Sequence, residues 1–347
     1  MESEIQRLVE SQLGVPVASV QPIAAGLGLR RFFRVSTRGV PATLVARVEA
    51  PEDPAGRPAG IPPEPPLEPL RTFLERHGLP VPARLGGDDA RGVALLEDVG
   101  ETSLADAPAL ADPAARRALY AEVLGWIPRL QRLSATPEEV PAFGRRLDRA
   151  HLRYKGELFA RWSLAAALGR TPRPSESDAA RAAFERIADL LEDAPQRLAH
   201  RDLQSRNVQI RPGAAGARPR LAMLDFQGAF LAPPEYDAVS LLRDSYVELP
   251  DDEVTAHLDA LRPALPDAPA PGEMHRRFDL LTVTRKGKDH ARFLYAAHER
   301  GDARFLRHVP ATARALRAAA PRVAALDPRL ADLAAWLVRL PERPCAP

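Results

Sequence analysis

The chain has 347 residues, 45% of them hydrophobic, which is enough material for two hydrophobic cores. A formal net charge of +2, scattered arginines and only 5% aromatic residues argue against nucleic acid as a partner. The one cysteine, Cys345, excludes an intrachain disulfide framework, and no apolar run is long enough to span a bilayer.

The first predicted element is a helix over residues 1–14, in which Ile5, Leu8, Val9 and Leu13 form one apolar stripe before Gly14. The same segment carries acidic residues and lacks the basic, apolar character of a cleavable leader. The default expectation is therefore a cytoplasmic location.

Three strand-like runs follow at 17–23, 31–37 and 42–49, and the glycines of GLGL join the first two. Residues 51–66 are so rich in proline and glycine that they predict a loop. A short amphipathic helix over 67–78 and a buried strand within VALLEDVG, 93–100, complete this half.

From about residue 110 the pattern turns helical. Helices are predicted at 114–133, 147–168, 177–193 and 235–246, with several more between 250 and 340. This order predicts an α+β, two-lobed fold with a small antiparallel β-rich lobe over 1–99 and a larger, mostly helical lobe over 100–347.

The strongest motif is HRDLQSRN, 200–207, followed by a hairpin-like segment and LDFQ, 224–227. Phosphoryl transfer needs mainly positioning and charge neutralisation, and this order supplies an acid, an amide and a second acid. Asp202 is expected to accept the proton of an attacking hydroxyl. Asn207 and Asp225 are expected to hold Mg²⁺, a cation that prefers hard oxygen ligands, because the hairpin returns one to the other.

Other residues of this region receive supporting roles. His200 is interpreted as a loop anchor, Asp237 as structural support for the loop, and Arg206 as a group facing a transferring or substrate oxyanion. The alternative is that HRD is an accidental tripeptide and Asp225 an ordinary turn residue. The combined motif favours a phosphotransferase that uses ATP and Mg²⁺.

These motifs, with 224–250 and the arginine-rich GLGLRRFFRV, 26–35, resemble the aminoglycoside phosphotransferase and choline kinase-like superfamily. Gln227 after the DF pair and Tyr236 before Asp237 are similar to bacterial kinases that phosphorylate N-acetylmuramate or N-acetylglucosamine at the anomeric hydroxyl. The resemblance implies a protein-kinase-like fold and ATP-dependent transfer to a small molecule, with an amino sugar of cell-wall type as the leading acceptor. Oligomeric state stays open.

The resemblance also implies a nucleotide site. Its candidate residues are Gly26 and Gly28 over the phosphates, Arg47 in place of a strand lysine, Glu68 as its partner, and Glu97 and Val99 at the adenine edge. Each has a simpler interpretation: a hairpin turn for the glycines, a solvated strand residue for Arg47, a favourable helix N-terminus for Glu68, and an ordinary strand end for the last pair.

Two alternative functions remain open, and one charged segment has two interpretations. An aminoglycoside-modifying kinase would need an acidic pocket, and a nucleotide-binding pseudokinase scaffold is favoured by the missing strand lysine. The segment RKGKD, 285–289, either contacts a sugar carboxylate or covers a solvated helix face, and the solvated face is the favoured interpretation.

Overall fold

The structure, a computed structural model, describes residues 1–23, 30–50, 63–211 and 220–342. The chain forms two compact units, and neither is a continuous segment. The first comprises 1–57, 72–102 and 209–224, and the second comprises 58–71, 103–208 and 225–347. The sequence predicted a single boundary between residues 99 and 100, whereas the first unit extends to residue 102 and includes the hairpin after the HRD loop.

The first unit is built on one antiparallel five-stranded sheet in the order β1-β2-β3-β5-β4. Its strands are β1 (Val17–Ile23), β2 (Arg31–Thr37), β3 (Thr43–Val48), β4 (Arg84–Asp88) and β5 (Val93–Glu97). Helix α1 (Glu2–Leu13) packs against the sheet and ends where Gly14 adopts a left-handed φ of 66°. The shared core consists of Ile5, Val9, Phe33, Val35, Leu44, Ala46, Val48 and Leu95.

Strand β4 was not predicted, because its sequence RLGGD resembles a turn more than a strand. Gly87 explains the composition: its φ is +152°, and a Cβ atom there would lie 2.5 Å from the carbonyl oxygen of Val93. The strand pairs closely with β5 at a position that only glycine can occupy without displacing backbone.

Two further strands, β7 (Val208–Arg211) and β8 (Arg220–Met223), pair with each other and also belong to the first unit. The amide of Met223 donates to the carbonyl of Pro80 at 2.7 Å, and Arg211 forms an ion pair with Glu97. The predicted hairpin between the HRD and LDFQ motifs is therefore present.

The second unit is mostly helical. Its helices, with α2 shared between the units, are α2 (Leu67–Arg76), α3 (Pro113–Leu124), α4 (Trp126–Gln131), α5 (Arg149–Leu158), α6 (Leu164–Leu168), α7 (Pro174–Leu190), α8 (Tyr236–Leu242), α9 (Asp251–Leu261), α10 (Pro271–Arg300), α11 (Val309–Leu326) and α12 (Ala331–Arg339). A π-helical turn, Phe159–Ser163, joins α5 to α6, and the short strands β6 (Arg197–Ala199) and β9 (Phe230–Ala232) pair antiparallel. The predicted α+β, two-lobed composition is confirmed.

Helix α10 packs against α5, α8 and α11 of the second unit and is buried along most of its length, although its two ends and Arg292 are exposed. Arg285 and Lys286 are at most 1% exposed, so the interpretation of 285–289 as a solvated face was wrong. Gly287 follows Lys286 and permits close packing, since a Cβ atom there would lie 3.3 Å from the rings of Phe159 and Phe184. Across the described ranges, no helix combines the length and apolar character needed to cross a membrane.

Candidate active site

The loop 200–207 follows β6 in a strained conformation that two buried carboxylates hold in place. Arg201 has a φ of 78°, an unfavourable value for a residue with a side chain. Asp237 of α8 accepts from the amides of His200 at 2.7 Å and Arg201 at 3.0 Å. Burial raises the pKa of Asp237, and these amides partly compensate. Asp237 thus bonds to the loop rather than to the start of its own helix.

The other end of the loop is fixed by Asp244, which the sequence analysis did not single out. The amide of Ser205 donates to Asp244 at 2.8 Å, and the Ser205 hydroxyl bonds to the same carboxylate. His200 lies within the loop, and its Nδ1 is 3.2 Å from the amide of Asp202. Asp244 follows Asp237 by seven residues, or about two helical turns, a spacing that could have suggested a second support.

Asn207 joins the loop to the LDFQ segment. Its Nδ2 donates to the carbonyl of Asp202 at 2.8 Å and to Oδ2 of Asp225 at 3.4 Å, which leaves its Oδ1 available as an acceptor. Gln227 donates to the other carboxylate oxygen of Asp225, and Asp225 has a φ of 62°. The structure therefore brings Asn207 and Asp225 together at the end of the loop 200–207.

Asn207 and Asp225 suit Mg²⁺ better than a cation that takes all of its ligands from the protein. No group of three or more His, Cys, Asp or Glu side chains within the described ranges is arranged to hold a metal. Mg²⁺ is usually held by one or two protein oxygens together with waters and substrate phosphates. One amide oxygen and one exposed carboxylate match that ligand set.

The carboxylate of Asp202 forms an ion pair with Arg285 of α10. Its Oδ1 lies 2.9 Å from Nη2 of Arg285, and its Oδ2 lies 3.8 Å from Nε of Arg201. Burial raises the pKa of Asp202, but Arg285, Arg201 and Lys288 outweigh burial and hold it well below its usual range. Asp202 is therefore a carboxylate at neutral pH, with 27% of its side chain exposed and able to meet a hydroxyl.

The first prediction tests this ion pair. Arg285→Met removes the nearest cation and its hydrogen bond, so the pKa of Asp202 is expected to rise. A base with a raised pKa is lost as the pH falls through that value, because protonation removes its acceptor lone pair. In pH profiles at saturating Mg²⁺, we expect the decline of kcat/KM on the acid side to lie at higher pH in the variant than in the wild type.

Arg300→Met is the matched control, because Arg300 is exposed at the C-terminal end of the same helix. Its profile should coincide with that of the wild type. A flat profile for Arg285→Met, in a variant that remains folded by circular dichroism, would contradict the assignment of Asp202 as the base.

The chain's only three lysines gather around this loop, which the sequence analysis did not foresee. Lys155 of α5 is 5% exposed, and its Nζ lies 3.4 Å from the hydroxyl of Tyr236. Burial, with Arg285 and Arg201, lowers the pKa of Lys155 to about 7. Lys286 and Lys288 contact Asp289 at 2.8 and 3.0 Å. The sequence offered one indication of this arrangement: the chain has only three lysines and 45 arginines. The burial itself could not be expected, because fully buried lysines are uncommon.

The residues predicted to bind nucleotide are placed as follows. Gly26 and Gly28 lie outside the described residues. Arg47 is 6% exposed and pairs with Glu49 at 2.5 Å, so its interpretation as a solvated strand residue was wrong. Glu68 pairs with Arg71 at 2.7 Å. The contact between Arg47 and Glu68 stays a prediction.

At the predicted adenine edge the two candidates differ. The amide of Glu97 donates to the carbonyl of Ala83 at 2.8 Å, and its carboxylate pairs with Arg211, so its N–H is already engaged. The backbone of Val99 makes no hydrogen bond to another described residue. Val99 is the better placed of the two for a base edge.

Arg206, predicted to face an oxyanion, stacks on an aromatic ring. Its guanidinium lies 4.2 Å from the centroid of Tyr246, close enough for a cation–π contact. This contact orients the Arg206 side chain, and its predicted role with an oxyanion stays a prediction.

Comparison with known proteins gives a consistent result. The phosphotransferase enzyme family matches residues 19–275. An N-acetylmuramate/N-acetylglucosamine kinase of Pseudomonas aeruginosa is 30% identical over 94% of this chain and 90% of its own length. A kinase of the same name from Pseudomonas putida is 29% identical over 85% of this chain and 82% of its own.

Solved structures are similar in fold. The choline kinase LicA from Streptococcus pneumoniae has a TM-score of 0.58 at 15% identity, over 92% of this chain and 98% of its own. The ADP-bound aminoglycoside phosphotransferase APH(2'')-Ib has a TM-score of 0.58 at 16% identity, over 91% and 97%. These similarities confirm the predicted protein-kinase-like fold.

Proposed function

We infer the function from an established premise: the chain belongs to the phosphotransferase enzyme family, and it is an ATP-dependent small-molecule kinase. We propose that it phosphorylates the anomeric hydroxyl of an amino sugar, N-acetylmuramate or N-acetylglucosamine. Relatives that carry this name match over 94% and 85% of the chain and support the choice of acceptor. The proposal includes a cytoplasmic location, where ATP is available.

The observation that carries the chemistry is the bridge that Asn207 makes between the loop of Asp202 and the carboxylate of Asp225. In the proposed reaction Asp202 orients the acceptor hydroxyl and accepts its proton as the bond to phosphorus forms. Its low pKa makes it a weak base, which is sufficient where the transition state is loose and the proton moves late. Orientation is then its larger contribution.

Asn207 and Asp225 would hold Mg²⁺ through Oδ1 and the carboxylate, and the ion, when bound, would neutralise charge on the ATP phosphates. Gln227 fixes the carboxylate of Asp225 in its rotamer through a hydrogen bond. Asp237 and Asp244 hold the loop that presents Asp202 and Asn207.

The second prediction concerns the acceptor. ADP release, followed with a coupled assay, is expected with N-acetylmuramate and N-acetylglucosamine and to be at background with kanamycin and choline. Kanamycin is a polycation, and the cations around Asp202 would repel it. Choline usually requires an aromatic cage.

A blocked sugar identifies the hydroxyl. Methyl N-acetylglucosaminide keeps every hydroxyl except the anomeric one, so it should not be turned over. Turnover of the methyl glycoside would move the transfer to another hydroxyl, and turnover of kanamycin in preference to both sugars would replace the proposal with aminoglycoside modification.

A further inference from the structure

Four cations surround the catalytic carboxylate: Lys155, Arg201, Arg285 and Lys288, called here the cationic cluster. Arg285 contacts Asp202 directly, and Lys288 lies near enough to lower the pKa of that residue. Lys155 lies near enough to Asp202 and Asp289 for both carboxylates to act on its own pKa. Lys155 of the cluster lies on α5, Arg285 and Lys288 lie on α10, and Arg201 belongs to the loop 200–207 itself.

Lys155 has no carboxylate partner within the described part of the chain. Its 5% exposed side chain has one polar contact, the neutral hydroxyl of Tyr236 at 3.4 Å, and its Nζ lies 5.1 Å from the centroid of the same ring. Burying an ammonium without a directly bonded counter-charge is costly, which is why burial lowers the pKa of Lys155. Nε of Arg285 is also buried without a hydrogen-bond partner.

The packing of α10 against α5 keeps these groups close to one another. Gly287 of α10 permits the close approach to Phe159, which follows Lys155 by one helical turn. Lys288 is the residue next to Gly287. Of the two lysines, Lys288 is the more accessible: 16% of its side chain is exposed, and its Nζ pairs with Asp289 at 3.0 Å. Burial lowers the pKa of Lys288 to about 8, and an arriving anion would favour its charged form.

We propose that Lys288 and Lys155 bind the carboxylate of a carboxylated amino sugar, so that this enzyme prefers N-acetylmuramate to N-acetylglucosamine. This inference rests on the proposed function and extends it. The two sugars differ by one lactyl ether, whose carboxylate is the only additional charge. The rival anion is the transferring phosphoryl group, which both acceptors share.

The third prediction separates these anions. Lys288→Met removes the ammonium and keeps a side chain of similar length. Because hydrogen bonds to charged groups are among the stronger ones, kcat/KM for N-acetylmuramate should fall about 30-fold. The value for N-acetylglucosamine should stay within about twofold of wild type. Lys288→Arg should recover most of the loss, and Arg300→Gln, at the exposed end of the same helix, should change neither sugar.

Lys155→Met provides a second test in case Lys288→Met fails to fold. The selectivity of Lys155→Met between the two sugars should shift in the same direction. Thermal unfolding and Mg²⁺–ATP binding, measured on each variant, establish that the protein is intact. An equal loss on both sugars would assign the cluster to the phosphoryl group and overturn the inference, while the proposed function would stand. A wild-type enzyme that phosphorylates neither sugar would overturn both.

Discussion

Asp202→Asn is expected to lower kcat by about a thousandfold while the affinity for Mg²⁺–ATP changes by no more than about threefold. The substitution keeps the shape of the side chain and removes the charge that we propose orients and deprotonates the acceptor hydroxyl. The side chain of Asp202 is not a proposed metal ligand. Asn207 donates to the backbone carbonyl of Asp202, which the variant retains. Transfer should therefore fail while nucleotide binding persists.

Stability must be measured alongside, because the variant leaves Arg285 without its carboxylate at a site where that arginine is 1% exposed. Removing one partner of a buried ion pair is destabilising by several kcal/mol, and less here because Asp202 is partly exposed. Asp178→Asn is the matched control, because Asp178 is an exposed residue of α7. Wild-type turnover by a folded Asp202→Asn protein would place the base elsewhere.

Asp225→Asn should act on the metal rather than on the acceptor. It removes the carboxylate charge, one of the two protein groups proposed to hold Mg²⁺. We expect kcat/KM for Mg²⁺–ATP to fall about a thousandfold, because a metal contributes several kcal/mol to phosphoryl transfer. Binding of Mg²⁺–ATP by calorimetry should weaken, whereas KM for the sugar should change little.

A titration with Mg²⁺ distinguishes this role from general damage. The apparent Mg²⁺ requirement of Asp225→Asn should rise, and excess Mg²⁺ should restore part of the activity. Asp193→Asn, at an exposed position after α7, should titrate as the wild type does. An unchanged Mg²⁺ requirement in the Asp225 variant would remove this residue from the ligand set.

The convergence of Asn207 and Asp225 could be predicted because the segments that produce it are local in sequence. Asp202 and Asn207 are five residues apart, and a hairpin, which is itself a local structure, returns Asp225 to within 3.4 Å of Asn207. Loop and hairpin geometry follow from short segments whose apolar and turn residues are visible in the sequence. No long-range packing had to be known.

The partners of Asp202 could not be predicted in the same way. Arg285 lies 83 residues further along the chain, and a run of charges on a helix normally faces solvent. Only the tertiary structure shows that α10 is buried along most of its length and that its charged residues are neutralised by buried carboxylates such as Asp289. Strand β4 was missed for a comparable reason, since the backbone approach that requires Gly87 is made by β5.

The scarcity of lysine has a practical consequence for measuring how this enzyme opens. A lysine-specific protease has three cleavage sites within the chain, after Lys155, Lys286 and Lys288, and all three belong to the second unit. Each lies within α5 or α10, where the backbone is helical and cannot enter a protease cleft without local unfolding. The rate of digestion by such a protease would therefore report the local unfolding of the helical unit alone. A bound acceptor that protects this unit would lower the cleavage rate.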